Sequence, residues 1–302
     1  MQDERCPICR GIGFAVKYHH EVEPYKTVQC IECGFVFLYP YPSDALIDRY
    51  NRSDDVYGYF GENAEHYGRA VRDRGGLIQN LLDRHQARFR SGAAVDVGAG
   101  IGIAVAAMKA HGFDAIGLET NPNSPAIGKK LFDVQIVDRQ LDALSGDLKL
   151  LTIFEVLEHI KYPVQFVSVA KQQLAEGALM IGSVPNYNGI GRYLHGTRSI
   201  ALIFPVHLNQ FTKASLRRTL MQGGLEVLYI GFPPPYGVSL TLGARKYLMN
   251  RFGSNSATRA LVTALTALKK YVLYPPLNLF AETTGLLGHG LVFAARKAAV
   301  DP

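Results

Sequence analysis

Cysteine is scarce in this 302-residue chain: there are four, and none lies after position 33. That excludes a disulfide framework running through the whole fold. Long apolar runs are missing as well. No stretch of 18 apolar residues occurs, which argues against a membrane span. The opening residues Met1–Arg5 are polar and lack an apolar signal core, so a cytoplasmic location is expected. Acidic residues are thin in the last third. Residues 213–302 hold three against eleven Lys/Arg, a net of +8, whereas residues 1–212 carry a net of −2. A basic excess of this kind suits an anionic partner such as a phosphorylated substrate, a lipid headgroup or nucleic acid; a solvated basic face is the plainer reading. With 48% apolar and 19% charged residues, the composition is that of a globular chain of about two domains and excludes wholesale disorder.

The four cysteines form Cys6-Pro-Ile-Cys9 and Cys30-Ile-Glu-Cys33. Two such knuckles suit tetrahedral thiolate coordination of Zn²⁺, since each turns two sulfurs toward one ion. A cytosolic setting disfavours the alternative of two disulfides. Four thiolates leave no position for water, so the zinc expected is structural. A segment this short builds little core, and metal binding would supply most of its folding free energy.

Beyond the knuckles, Phe35–Tyr39 reads as a strand broken by Pro40-Tyr41-Pro42-Ser43, and Asp44–Tyr50 as a short helix. Gly75-Gly76 reads as a break, with a helix beginning at Leu77. From residue 93, strands and helices alternate: strand Ala93–Val97, helix Ile103–His111, strand Ala115–Leu118, helix Pro125–Phe132, strands Val134–Val137 and Leu148–Phe154, helix Pro163–Ala175 and strand Ala178–Val184. Thr212 reads as the N-cap of a helix to Gln222, followed by strands Leu225–Gly231 and Leu291–Ala295. Alternation predicts an α/β fold, a doubly wound, mostly parallel seven-stranded sheet, preceded by the zinc ribbon. The expected domains are a ribbon over 1–40, a helical linker or cap over 41–90 and an α/β domain over 91–302. Segments 186–210 and 233–288 interrupt the alternation and would form the substrate pocket. The second is basic and partly apolar, so peripheral contact with a membrane surface and packing on the sheet are both open to it.

The sharpest signal is Asp96-Val97-Gly98-Ala99-Gly100-Ile101-Gly102, where a strand turns into a helix. Glycines there permit a tight turn and close approach of a ligand. The dinucleotide fingerprint needs a small residue where Ile103 stands, and no Gly-Lys-Ser/Thr follows for a P-loop. This D-x-G-x-G-x-G resembles motif I of class I S-adenosylmethionine-dependent methyltransferases. Glu119 then stands where that family binds the ribose hydroxyls, and Asp138 (with Asp142 as rival) where it meets the adenine. Thr152–His159, with Phe154, resembles the stretch beside the methionine part of the cofactor. Leu179–Asn186 resembles strand five, and His207-Leu208-Asn209-Gln210-Phe211-Thr212 resembles a later family block. The resemblance covers 93–232 and 288–297 and implies an enzyme with S-adenosylmethionine bound at Asp96, Gly98, Gly100, Gly102, Glu119, Asp138 and Phe154. The amino-terminal pattern, ending in Phe-x-x-Pro-x-Pro, is similar to the zinc-ribbon methyltransferases of sugar and polysaccharide pathways. That implies a small acceptor methylated on a hydroxyl or a carbon, with a phosphate meeting the basic last third.

An oxygen nucleophile benefits from a general base. His159 and His207 are the candidates, because both fall in loops expected at the pocket and imidazole titrates near neutrality; capping or loop-orienting roles are the alternative. Glu155 and Glu158 are lesser candidates, and Tyr187 is expected to border the substrate. Pro234-Pro235-Tyr236 is similar to the loop of amino-methylating enzymes, but Pro233 replaces the acceptor residue. Two further readings are a zinc-ribbon rRNA or tRNA methyltransferase and a non-catalytic zinc-scaffolded binding module. Against the first, residues 1–34 carry four Lys/Arg and five Asp/Glu, whereas gripping nucleic acid needs a positive excess.

Overall fold

The computed structural model describes residues 5–52, 64–144, 146–189, 192–193, 202–232 and 290–298, with isolated positions between 260 and 288. Strands β1 (Phe14–His19), β2 (Lys26–Cys30) and β3 (Val36–Tyr39) form an antiparallel meander. Helices α1 (Asp44–Asn51) and α2 (Ala64–Arg84) follow. Ser43 caps α1 by accepting from the Leu46 N–H. Then come β4 (Gly92–Val97), α3 (Ile103–Ala110), β5 (Phe113–Leu118), α4 (Ser124–Phe132), β6 (Ile136–Val137), β7 (Leu148–Phe154), α5 (Pro163–Gln173) and β8 (Leu174–Pro185). The chain closes with β9 (Asn209–Gln210), α6 (Lys213–Gln222), β10 (Glu226–Gly231) and β11 (Gly290–Arg296). The Thr212 cap is a full capping box: Thr212 and Ser215 each accept the other's backbone N–H.

Seven strands make one sheet in the order β10-β11-β8-β7-β4-β5-β6. The five strands from β8 to β6 are mutually parallel, while β11 runs antiparallel to both β8 and β10. Alternate side chains along β8 enter opposite cores: Met180 and Val184 pack with Val167 of α5 and Leu216 of α6, while Leu179 and Ile181 pack with Ile78 of α2 and Val105 of α3. Each face of the sheet is thus covered by helices, which is why β7 reads as a nearly continuous apolar run. The chain order reverses between β4 and β7, and in such sheets the crevice beyond the strand ends at that point receives ligands.

One expectation is corrected. Gly75-Gly76 does not break the chain; α2 runs through both from Ala64 to Arg84. A Cβ on Gly75 would sit 2.8 Å from His111 Nε2 at the end of α3. The glycine is there for close helix approach, and the apolar stripe Leu77, Ile78, Leu81 and Leu82 anchors the helix to the sheet. Each fully buried leucine or isoleucine contributes about 1.5–3 kcal/mol, enough to offset the roughly 1 kcal/mol helix penalty of each glycine.

The ribbon is joined to the larger sheet rather than tethered beside it. Strand β9, which enters after β8, adds to the edge of β3 with Val36 opposite Gln210 and Phe37 opposite Asn209. Cys6, Ile8, Val28, Phe35 and Phe37 belong to the same buried cluster as Val95, Leu151 and Ile153. No helix among the described residues is long and apolar enough to cross a membrane. Most of 233–288, including the Pro233–Tyr236 loop and the expected membrane contact, lies outside the described residues.

Candidate active site

The turn after β4 has the geometry its glycines allow. Gly98, Gly100 and Gly102 all have positive φ, at 67°, 51° and 90°. A Cβ on Gly98 would fall 2.4 Å from Val156 Cγ2, so the turn is cramped as well as left-handed. Gly98 and Ala99 donate to the Leu118 carbonyl, which fastens the turn to the end of β5. The Glu119 carboxylate accepts from three backbone N–H groups: Gly100 at 2.9 Å, Thr120 at 2.8 Å and Asn121 at 3.0 Å. A carboxylate offers about four lone-pair sites, so one remains for a ligand hydroxyl and a second would displace an N–H. Beside it, the Asn121 side-chain amide is fully buried and its Nδ2 has no partner. A left-handed glycine cradle, a fixed carboxylate and an unspent amide donor fit a polyhydroxylated ligand such as the ribose of S-adenosylmethionine.

Asp96 lies beneath the turn. It is 4% exposed and accepts from Thr152 Oγ1 at 2.6 Å, which ties β4 to β7. Burial lifts its pKa to about 7, with the Thr152 bond and the Arg74 charge opposing the rise. Asp138 is exposed just beyond β6, and Asp142 is exposed in a short 3₁₀ turn.

Past β7 the chain turns sharply. Glu155 adopts a left-handed φ of 57°, uncommon for a residue with a side chain, and its carboxylate accepts from Ser183 Oγ at 2.5 Å. Crowding by protein raises its pKa, against the Ser183 bond and the Arg74 charge. Glu155 and Ser183 line a cavity of about 310 Å³ with Asp73, Arg74, Leu77, Ile103, Gly290 and Val292. The Arg74 guanidinium lies 3.7 Å from the centroid of the Phe154 ring, a cation–π contact at the cavity's edge.

The next residues build a second cluster. Glu158 and His159 sit on a 3₁₀ turn, Leu157–His159, and His207 comes from just before β9. The two imidazole centroids are 4.9 Å apart, edge to face. His159 Nδ1 is 2.8 Å from the Val206 carbonyl oxygen, and burial lowers its pKa, so the ring is neutral near pH 7. Burial, and then the Glu155 charge, hold Glu158 well above the ordinary carboxylate range. Asn209 pins this arrangement: its Nδ2 donates to Ile160 O at 2.5 Å and Leu157 O at 3.4 Å, while its Oδ1 accepts from Tyr41 Oη at 2.8 Å. Tyr187, expected at the substrate, is instead 6% exposed and packed with Val36, Leu202 and Tyr18.

In the amino-terminal ribbon, the sulfurs of Cys6, Cys9, Cys30 and Cys33 all lie within 4.8 Å of one another, with Cys6–Cys33 at 3.6 Å and Cys9–Cys30 at 3.5 Å. A Zn–S bond of about 2.3 Å makes tetrahedral S···S edges of about 3.8 Å, so this donor set fits one zinc ion. Burial pushes the Cys6 thiol up to about 12 and raises Cys30 as well, as expected for thiols gathered without a cation.

The fold thus brings Gly100 to Glu119 and His159 to His207, and gathers the four cysteines. Sequence reasoning missed Arg74. No local motif marks it, and it lies one residue before the glycine pair that was read as a break. It also missed Asn209 as the clamp, although that residue stood in the block already singled out.

A family model described as a methyltransferase domain matches residues 67–230. The chain is similar in structure to a putative sarcosine dimethylglycine methyltransferase from Galdieria sulphuraria, at 15% identity over 74% of this chain and 85% of that one, with a TM-score of 0.49. It is similar to S-adenosylmethionine-dependent methyltransferases from Clostridium acetobutylicum (9% identity, 83% and 99% covered, TM-score 0.49) and Archaeoglobus fulgidus (17%, 74% and 94%, TM-score 0.48). No curated protein sequence matches the chain.

Proposed function

The chain belongs to the S-adenosylmethionine-dependent methyltransferases, with the family domain over residues 67–230, and from that premise we propose that it methylates a hydroxyl, or a carbon, of a sugar or another small phosphate-bearing metabolite. S-adenosylmethionine supplies a methyl group on a sulfonium, itself a good leaving group. The protein's part is to hold the acceptor atom about 3 Å from that carbon and in line. Gly98, Gly100 and Gly102 allow the cofactor to approach the backbone, Glu119 receives a ribose hydroxyl, and Phe154 with Arg74 borders the remainder. Asp96 acts from beneath as a positioning residue, and Asp138 is assigned to the adenine edge. Residues 1–40 serve as a structural zinc ribbon held on Cys6, Cys9, Cys30 and Cys33. Residues 41–90 cap the cavity, and 91–302 carry the chemistry.

The observation that carries the acceptor reading is the edge-to-face imidazole pair His159 and His207, one turn beyond Glu155, which itself lines the cavity. A hydroxyl needs its proton taken as the new bond forms, and a neutral imidazole is the side chain suited to that near pH 7. The RNA reading is disfavoured by the ribbon's surface, where Ile12, Val16, Val22 and Ile31 stand exposed; a phosphate backbone calls for cations there.

The test is calorimetric titration with S-adenosylhomocysteine of the wild type, Asp96→Ala and Glu119→Ala, then methyl transfer from labelled donor to a panel of sugar phosphates and nucleotide sugars. One-to-one binding, weakened in both variants, together with label in a hydroxyl or carbon of one acceptor supports the reading. Label transferred to RNA alone, with steep salt dependence, overturns the acceptor class.

A further inference from the structure

Behind Glu155, two imidazoles and a carboxylate converge. One ligand atom from each of Glu158, His159 and His207 lies within 4.8 Å of the others. The His159 Nδ1 contact to the Val206 carbonyl decides a tautomer. A carbonyl only accepts, so Nδ1 carries the proton and Nε2 keeps its lone pair. Metal-ligating histidines are held in this way, with the second ring nitrogen donating to a carbonyl or a carboxylate. That Nε2 is 3.9 Å from Glu158 Oε1, too far for a hydrogen bond. Glu158 is 1% exposed, no N–H or hydroxyl donor reaches either of its oxygens, and among the described residues its one polar neighbour besides the imidazoles is the carboxyl of Glu155. A buried carboxylate set against a second carboxylate and two imidazoles, with no cationic side chain on it, calls for a shared cation.

We propose that Glu158, His159 and His207 bind a divalent transition-metal ion of the zinc, manganese or iron(II) class, at a site separate from the four cysteines. Two nitrogens and one oxygen suit these borderline ions, as four sulfurs suit structural zinc. An ion about 2.1 Å from each donor draws the ligand atoms to about 3.4 Å apart, a contraction within reach of side-chain torsions. The cradle is already set, because Asn209 fixes the 3₁₀ turn carrying Glu158 and His159 two residues from His207. Three protein ligands leave at least one position open, which marks a working rather than a structural site. His159 keeps 26% of its side chain exposed, so the open position is reachable, and an oxygen donor such as water or a hydroxylated acceptor is the ligand it would take. Its meaning for methyl transfer rests on the acceptor reading above: a cation held on both imidazoles would orient the acceptor oxygen and lower the pKa of its hydroxyl, whose proton would pass to solvent water rather than to either ring.

The test keeps the two claims apart. The full chain, with zinc already in the ribbon, is titrated with Co²⁺ by absorption and calorimetry, beside a titration with S-adenosylhomocysteine. One further equivalent is expected, with a d–d spectrum and no thiolate-to-cobalt charge-transfer band. Glu158→Gln, and independently His207→Gln, are each expected to weaken it by at least about tenfold. Ribbon zinc content and S-adenosylhomocysteine binding report that each variant is folded. No further equivalent in the wild type at millimolar Co²⁺, or unchanged affinity in both folded variants, overturns the site. A wild type that binds Co²⁺ as expected but not S-adenosylhomocysteine supports the site and removes the cofactor reading alone.

Discussion

In the ribbon, four sulfurs come from two knuckles within the first 33 residues and gather within 4.8 Å of one another. Behind Glu155, which lines the cavity, Glu158 and His159 from one turn meet His207 from beyond β8, with an edge of His159 left accessible. The first cluster is local, homogeneous and supplies all four ligands of a tetrahedral ion; the second is assembled from distant stretches of the chain, mixed in donor type and supplies three. Sealed thiolates hold a structure together, whereas an open mixed set next to a cavity can exchange ligands. Yet the two are physically continuous, because β9 pairs with the ribbon while Asn209 within it clamps the turn that bears His159.

That continuity is the first thing to break. Removing zinc by chelation, or with Cys30→Ser, should destabilise the whole chain and not the ribbon alone, since Phe35 and Phe37 share a core with Leu151 and Ile153. The loss expected is a large part of the roughly 10 kcal/mol such ions supply, read as a single lowered melting transition. An unchanged main transition would show that the ribbon is an independent module.

Next is the buried acid of the glycine turn. Asp96 has a folded pKa near 7 against 3.8 in water, so the folded state holds its proton more tightly than the unfolded state does. Stability present below about pH 4 should therefore decline as pH rises toward 7, by no more than about 4 kcal/mol, and Asp96→Asn should flatten that slope. Urea unfolding of the ligand-free protein at stepped pH measures it; parallel slopes for the two proteins would contradict the assignment.

The clamp comes third. Asn209→Ala leaves two carbonyls and the Tyr41 hydroxyl short of a partner, at a cost of about 2–3 kcal/mol. Turnover is expected to fall while S-adenosylhomocysteine affinity stays put. Asn209→Asp, which keeps the acceptor for Tyr41 but sets a buried carboxylate against both carbonyls, should be at least as destabilising.

The smallest effect belongs to the local motif. Gly98→Ala puts a Cβ against Val156 in a left-handed turn, costing about 1–3 kcal/mol. Cofactor affinity should fall about tenfold or more with the circular dichroism of the fold preserved. Equal affinity would mean that the turn relaxes away from Val156.

What the sequence disclosed follows the same division. Strand Leu148–Phe154 and the helix capped by Thr212 fall where periodicity and capping place them, because local patterns encode them. The glycine turn was equally plain, since its strand, glycines and helix are consecutive. Helix α2 was misjudged at Gly75-Gly76, where the deciding contact is with His111 on another helix. Arg74 was hidden by the same error. His159 and His207 were both named, but their meeting, and Glu158's place between them, depends on β9 crossing to the ribbon, which no spacing records.

The short strand β9 also sets an order of events during synthesis. The ribbon emerges from the ribosome first, but the edge of β3 must wait for residues 209 and 210, and Tyr41 for an asparagine 168 positions later. The amino-terminal module can load its ion early, yet it cannot finish its sheet before the histidine of the second cluster has been made. In this chain, completing the scaffold and delivering the last ligand of the site are one step of biogenesis.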